Sequence, residues 1–238
     1  MKSNKILQMF GAYQEAETLE IYIYDTVEGD TTDWTSGKKI KSETSANHIK
    51  ELLESKKEVS AIKIFINSFG GSVKEGIAIY NQLKRHKAKK QVYIDGYACS
   101  IASVIAMCGD TVTMAKNALM MIHNASMYVF GTAEELRKAA DDLEVINKAS
   151  CSTYLERTKG KLSEKELKKM LDEETWLSAD ECIRYGFADE IQQDNNTAET
   201  PSQCAYRNYV IKMVARQSAT PKQSNDGKNP FSAFFKNI

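Results

Sequence analysis

Hydrophobic and polar residues alternate with two different periods along most of the chain. A two-residue alternation, rich in β-branched and aromatic side chains, predicts strands at residues 19–25, 62–67, 91–94, 111–114, 119–123 and 187–191. Apolar residues with helical spacing follow most of these runs. Strands that alternate with helices along a chain predict an α/β fold that contains β-α-β units.

Hydroxyl residues followed three positions later by glutamate mark where several helices begin, because this is the pattern of a capping box. The pattern occurs at Ser72, Thr132, Ser163 and Ser178, and a further helix is predicted to open at residues 45–48. The longest predicted helix runs from Thr132 to about Arg157, and Gly160 ends it. Its apolar side is predicted to consist of Leu136, Ala140, Leu143, Ile146 and Tyr154.

The pattern changes at both ends of the chain. Residues 1–18 carry no strong period and are predicted to form an N-terminal arm. Residues 19–195 carry all the predicted elements and form one domain, which suits a chain of 238 residues with an appendage. Residues 196–238 are polar and turn-rich, so we predict a largely disordered tail.

Composition narrows the classes of protein that fit. The formal net charge is zero, which gives no indication of a nucleic-acid or membrane partner. No apolar run is long enough for a transmembrane helix, and no signal peptide is predicted. The five cysteines lack C-x-x-C spacing, so we expect reduced thiols in a cytoplasmic protein, without a disulfide framework or a metal site.

The stretch at residues 96–103 is the most informative about chemistry, because the strand at residues 91–94 leads into it and a helix-compatible run at residues 101–108 leaves it. At this corner the Ser100 hydroxyl would lie near the positive end of a helix dipole, as in a nucleophile elbow, although the G-x-S-x-G pattern is absent. Two alternatives remain open. Ser100 could only cap the helix, or the neighbouring Cys99 could be the nucleophile.

A serine nucleophile needs a base within hydrogen-bond reach and donors for an oxyanion. The chain has three histidines, of which His48 and His86 are predicted on polar, exposed helix faces. His123 ends a predicted strand and is the best candidate for the base, although it could be a structural histidine. Gly70 and Gly71 follow a strand directly, so they predict either a tight turn or backbone N–H groups that face an oxyanion.

Four segments in this order resemble the ClpP serine peptidases of the ClpP/crotonase superfamily. The segments are residues 66–73, 96–103, 121–124, and 176–181 followed by 185–189, which look like the family's I-N-S-P-G-G, nucleophile, M-I-H and F-x-S/T-A-x-E segments. The resemblance covers about residues 19–191. It implies the ClpP/crotonase α/β fold of stacked β-β-α units with a long handle helix, and self-association into one ring or two stacked rings.

The resemblance also implies roles for individual residues. By position, Ser100 would be the nucleophile and His123 the general base. The backbone N–H groups of Gly71 and Ile101 would form the oxyanion hole. The helix that begins after Thr132 would be the handle that joins rings of subunits. No cofactor or metal ion is implied.

Two positions depart from the family's pattern. The family's acid lies two residues before the aromatic residue of the last segment, and here that residue is Glu174 instead of aspartate, with Asp172 as the fallback. Glutamate can orient an imidazole, as Ser-His-Glu triads show. The second departure is Phe69, which stands where the family has proline, beside Gly70. Both residues are predicted to bind the substrate strand, with a large ring at position 69.

The implied activity is that of a serine endopeptidase, either ATP-independent or chaperone-assisted, that cleaves peptide bonds through an acyl-enzyme. Residues 21–24 and 174–177, together with the polar tail, resemble the ClpP-like proteases of phage and prophage head assembly, which implies a capsid or scaffold protein as substrate. Two alternatives are a capsid-assembly protein with a decayed triad and a crotonase-like acyl-CoA enzyme. Nucleic acid and membrane are not expected as partners.

Overall fold

The computed structural model of the chain describes the backbone of residues 12–15 and the structure of residues 18–56 and 58–192. Most of the predicted N-terminal arm and the whole predicted tail at residues 196–238 lie outside these ranges. The domain boundaries inferred from the sequence therefore stay predictions. Within the described residues, no helix combines the length and the apolar character needed to cross a membrane.

The described residues form a mixed α/β fold, as the sequence predicts. The strands are β1 (Ala12–Glu15), β2 (Thr18–Tyr24), β3 (Thr31–Thr32), β4 (Lys39–Ile40), β5 (Ala61–Ser68), β6 (Lys89–Cys99), β7 (Thr111–Met114), β8 (Leu119–Ile122), β9 (Thr175–Ser178) and β10 (Glu190–Ile191). The helices are α1 (Ala46–Ser55), α2 (Val73–Arg85), α3 (Ile101–Ala106), α4 (Ala133–Thr158), α5 (Glu164–Asp172) and α6 (Ala179–Tyr185).

Eight of these strands form one sheet in the order β1-β2-β5-β6-β7-β10, with β8 beside the end of β6 and β9 beside β8. All its pairs are parallel except β1 with β2 and β8 with β9. The carboxyl end of β6 therefore lies beside β8, while its first half lies beside β7. The end of β8, and the residues that follow it, therefore lie beside the end of β6.

Alternation of side chains decides which face of the sheet is covered. In β5 every second residue is buried, including Ile62, Ile64 and Ile66, and these side chains pack in the core together with residues of α1, α2 and α3. The residues between them point to the other face, where Tyr22, Phe65 and Tyr93 stack with ring centroids 4.8 and 5.2 Å apart. The strand period found in the sequence thus separates an aliphatic core from an aromatic outer face.

Helix α4 departs from its predicted packing. It has the predicted start and length, and Thr132 and Glu135 form a reciprocal capping box. Its buried residues are Cys151, Tyr154 and Thr158, all in its last third. The predicted apolar side is left uncovered over the earlier turns, where Leu136 is exposed and Leu143 and Ile146 are half-buried. Helical spacing records which residues share a face but not whether the same chain covers that face.

Other elements differ from the prediction in extent. Strand β1 lies within the predicted N-terminal arm, and β3 and β4 form a short hairpin outside the predicted strands. Strand β6 continues to Cys99, whereas the last strand shrinks to β10. At Ser72 the predicted capping box is half formed, because the Glu75 carboxylate accepts a hydrogen bond from Ala46 N at 2.8 Å and so joins α2 to the start of α1.

A buried hydroxyl pair joins α4 to α3. Ser103 Oγ lies 2.7 Å from the Tyr154 hydroxyl oxygen and donates a hydrogen bond to Ser100 O at 2.6 Å. The Tyr154 ring also packs edge-on against Phe187, with centroids 5.7 Å apart. Burial in this cluster raises the pKa of Tyr154, so its hydroxyl stays neutral. The end of α4 is thereby tied to the backbone that leaves β6.

We expect Tyr154→Phe to lower the free energy of unfolding by about 1 kcal/mol, because it removes one buried hydrogen bond and leaves the ring contacts in place. Chemical denaturation of both proteins measures this difference. Tyr93→Phe is the matched control, since the Tyr93 hydroxyl bonds to none of the described residues. Equal losses in the two variants would contradict a stabilising role of the Tyr154 hydroxyl.

Candidate active site

The turn at Ser100 joins β6 to α3 without an intervening loop. Its backbone angles are φ 53° and ψ −129°, outside the regions that a residue with a side chain normally occupies. Ser100 is the N-cap residue of α3, as the simpler interpretation predicts, but its side chain makes no capping hydrogen bond. The hydroxyl is therefore left for another partner. Strained residues of this kind cluster at active sites, as in nucleophile elbows.

That partner is His123, directly after β8. The parallel pairing of Cys99 with Met121, together with the 2.9 Å hydrogen bond from Ser100 N to Met121 O, sets the ends of β6 and β8 side by side. His123 Nε2 consequently lies 2.7 Å from Ser100 Oγ. The pair predicted from the sequence is thus within hydrogen-bond distance. Burial lowers the pKa of His123, and the Glu174 carboxylate opposes this shift.

Glu174 is the acid nearest the imidazole. Its Oε2 lies 3.8 Å from His123 Nδ1, close enough for charge interaction but beyond hydrogen-bond distance. The Glu174 side chain is 56% exposed, and its backbone φ is 50°. Asp172, the fallback acid, accepts a hydrogen bond from Asn124 Nδ2 at 2.7 Å instead. The geometry therefore favours Glu174 over Asp172 as the group that faces the base.

Two backbone N–H groups lie in the segments next to Ser100, at Gly71 and at Ile101. Val27 and Gly71 form a parallel β-bridge, in which Val27 N donates a hydrogen bond to Gly70 O and Ser72 N donates one to Val27 O. The bridge does not use Gly71 N. Ile101 N belongs to the first residue of α3, and such donors have no acceptor inside their own helix. Both donors were predicted as an oxyanion hole.

Glycine is required at positions 70 and 71 for steric reasons. A Cβ on Gly70 would lie 2.7 Å from Ser100 Cβ, and one on Gly71 would lie 2.2 Å from Val27 O. Their φ values are 99° and 143°, which L side chains rarely adopt. Phe69, the predicted substrate-binding residue beside them, is exposed. The backbone of this segment can therefore approach the nucleophile closely.

The alternative candidates lie in unsuitable surroundings. Cys99 is fully buried, and burial raises the pKa of its thiol to about 12, so the reactive thiolate is disfavoured. His48 and His86 are partly buried instead of exposed, which corrects their prediction, and His123 is the histidine in contact with Ser100. Among the described residues, no group of three or more His, Cys, Asp and Glu side chains could hold a metal ion.

The sequence interpretation gave no role to several residues that support the site. Ser68 Oγ accepts a hydrogen bond from Gly70 N at 3.0 Å and donates one to Asp25 O. Asn67 Oδ1 accepts a hydrogen bond from Tyr97 N at 3.1 Å. The sequence signal for these roles was the pair of polar residues at the end of an apolar strand, one residue before two glycines. The Ser68 contacts hold the backbone at Gly70, and the Asn67 contact holds the backbone of β6 three residues before Ser100.

A hydroxyl within hydrogen-bond distance of an imidazole is the arrangement with which serine hydrolases attack acyl groups. The family model described as Clp protease matches residues 17–195. The chain belongs to the Clp protease family, whose members are serine proteases.

Curated relatives carry the name ATP-dependent Clp protease proteolytic subunit. The protein of Streptococcus equi subsp. equi is 32% identical over 157 residues, which is 61% of this chain and 76% of the relative. Subunit 1 of Chlamydia abortus is 31% identical over 158 residues, which is 64% of this chain and 81% of the relative. The matches thus cover most of each relative.

We expect Glu174→Gln to shift the pH at which the labelling rate of Ser100 falls on acidification to a lower value. Labelling by a fluorophosphonate requires neutral His123, so the rate falls as pH drops through the His123 pKa. Removing the charge that raises this pKa leaves the lowering effect of burial unopposed. The maximal rate should also fall, by on the order of 10²-fold. Labelling rates measured across pH give both quantities.

Asp172→Asn is the matched control and should change neither the pH at which labelling falls nor the maximal labelling rate. A shift with Asp172→Asn but not with Glu174→Gln would make Asp172 the acid. If neither variant changes the profile, Ser100 and His123 act as a dyad.

Proposed function

We propose that the protein is a serine endopeptidase in which Ser100 is the nucleophile, His123 the general base and Glu174 the acid. The observation that carries this proposal is the 2.7 Å contact between Ser100 Oγ and His123 Nε2. Burial supports it, because a lowered pKa keeps His123 neutral and able to accept a proton near neutral pH.

The proposed reaction uses His123 Nε2 as the proton acceptor and two backbone N–H groups as hydrogen-bond donors. His123 Nε2 takes the Ser100 proton as Oγ attacks the peptide carbonyl carbon. The carbonyl oxygen becomes an oxyanion that accepts hydrogen bonds from Gly71 N and Ile101 N. The C–N bond then breaks, His123 protonates the leaving amine, and an acyl-enzyme remains. Water activated by His123 hydrolyses this ester and restores the Ser100 hydroxyl.

Glu174 would act through His123. Its carboxylate stabilises the imidazolium that forms when His123 accepts the proton, which a charge 3.8 Å away can do even without a hydrogen bond. Because the Glu174 side chain is largely exposed, water screens this interaction. A small closure of the Glu174 side chain would bring it into hydrogen-bond distance once substrate excludes water.

The pairing of a serine with a neutral histidine favours a peptidase over the two alternatives. A crotonase-like acyl-CoA enzyme has no need of this pair, and a capsid-assembly protein with a decayed triad has no reason to keep it. A CoA-binding assay tests the first alternative. Labelling of Ser100 by a fluorophosphonate tests the second, because only an active hydroxyl reacts.

We further propose a cytoplasmic homo-oligomer, as one ring or two stacked rings. The uncovered early turns of α4 support self-association, because Leu136 and Val145 are large apolar residues left exposed there. The proposed arrangement is an arm at residues 1–18, a peptidase domain at 19–195 and a tail at 196–238. Native mass spectrometry of the full chain measures the number of subunits.

The proposed substrates are capsid or scaffold proteins, cut without an ATPase or with a chaperone. Support comes from the resemblance of residues 21–24 and 174–177 to phage head-assembly proteases. The full-length protein is incubated with the capsid and scaffold proteins of its own genome, without ATP, and cuts are mapped by mass spectrometry. Defined cuts that Ser100→Ala abolishes support the proposal. Cuts that need an added ATPase would instead assign the chain to ATP-dependent turnover.

We expect Ser100→Ala to lower the turnover of an unstructured peptide by on the order of 10⁶-fold, and His123→Ala to do nearly as much. The double variant should be no worse than either single variant, because base and nucleophile act as one unit. Cys99→Ala is the matched control and should keep activity. Retained cleavage by Ser100→Ala with loss in Cys99→Ala would make the thiol the nucleophile.

A further inference from the structure

Three exposed aromatic rings lie side by side, and they are called the aromatic wall here: Phe69, Tyr97 and Trp176. Tyr97 is the central ring, with its centroid 5.1 Å from that of Phe69 and 6.1 Å from that of Trp176. The exposed fractions are 45%, 37% and 44%. Contiguous exposed rings of this size mark binding surfaces in soluble proteins.

Each ring comes from a segment that also carries a proposed catalytic group. Phe69 directly precedes Gly70, whose Cα is so near the nucleophile that an added Cβ would lie 2.7 Å from Ser100 Cβ. Tyr97 lies on β6, three residues before Ser100. Trp176 lies two residues after Glu174 and pairs with Met121 on β8. The wall is therefore built into the same three segments as the reacting groups.

The backbone that carries the central ring of the wall is held by specific contacts. Between Ile66 and Ser68 the pairing of β5 with β6 shifts register, and β6 has two more residues than β5 over this stretch. Asn67 Oδ1 accepts the Tyr97 N–H within this irregularity. Gly96 gives the amide room, since a Cβ there would lie 2.5 Å from Asn67 Oδ1. A ring held in this way loses little conformational entropy when it binds a ligand.

We infer that the aromatic wall binds an aromatic side chain of the substrate within two residues of the scissile bond, and so determines which bonds are cut. This inference rests on the proposed peptidase function. A peptide that reaches Ser100 in an extended conformation passes the segment of Phe69 and Gly70. A substrate ring can then pack edge-to-face or offset against Tyr97, the geometries that aromatic pairs prefer.

The test uses cleavage of a library of unstructured peptides by the full-length protein, with cut positions mapped by mass spectrometry. We expect Phe, Tyr and Trp to be enriched within two residues of the cuts. Trp176→Leu and Tyr97→Leu should reduce this enrichment by about 10-fold, the scale of discrimination that one apolar pocket contact provides. Labelling of Ser100 by a small fluorophosphonate, which carries no such side chain, should stay within about twofold of the parent.

Trp34→Leu is the matched control, because Trp34 is the other tryptophan of the chain and lies 92% exposed between β3 and β4. It should leave the enrichment unchanged. Trp176→Phe should restore the enrichment lost in Trp176→Leu, since it returns a ring to the wall. Binding is read separately in Trp34→Phe/Ser100→Ala protein, where Trp176 is the sole tryptophan. Its fluorescence should respond to a library peptide with an aromatic residue and not to the matched alanine peptide.

The outcomes separate this inference from the proposed function. Efficient cutting without aromatic enrichment, or enrichment that the wall variants leave unchanged, overturns the inference and leaves the peptidase intact. Wall variants that change the oligomeric state in native mass spectrometry but not the enrichment overturn it in favour of an interface between copies. Absence of both labelling and cutting in the parent protein overturns the proposed function, and the inference with it.

Discussion

The site depends on one backbone constraint, which is the turn that Ser100 makes between β6 and α3. A residue with a side chain adopts φ 53° and ψ −129° only where its surroundings hold it there. Here Ser100 N is bonded to Met121 O, and Ser100 O accepts a bond from Ser103. The same turn brings the hydroxyl to His123 and starts a helix whose first N–H is free. The proposed nucleophile and one proposed oxyanion donor, Ile101 N, are therefore both positioned by this turn.

The imidazole is held between opposing influences. Burial disfavours its charged form, whereas Glu174 favours that form from 3.8 Å away across a partly exposed gap. In the proposed mechanism, this balance keeps His123 neutral at rest and stabilises its charged form when it accepts a proton. Glu174 has a positive φ, in the left-handed region where aspartate is better tolerated than glutamate. The longer side chain at this position therefore comes with an unfavourable backbone conformation.

Strong periodicity and local capping were predictable from the sequence, and long-range partners were not. Strands β5 and β7 and the capping boxes at Thr132, Ser163 and Ser178 follow from residues within a few positions of one another. The capping box at Ser72 is incomplete because Glu75 binds a backbone group far away in sequence. Strand β9 exists through its pairing with β8 and carries little alternation of its own. The pairing of Ser100 with His123 was anticipated because both end strands, whereas the Asn67 contact to Tyr97 depends on a register shift that no local pattern encodes.

The steric restriction at Gly70 and Gly71 has an evolutionary consequence. Any side chain at position 71 would collide with Val27 O, and one at position 70 would collide with Ser100 itself. Both positions are therefore restricted to glycine, and one of them carries Gly71 N, a proposed oxyanion donor. Variation is easier at an exposed neighbour such as Phe69, where a different side chain leaves the backbone of the two glycines in place.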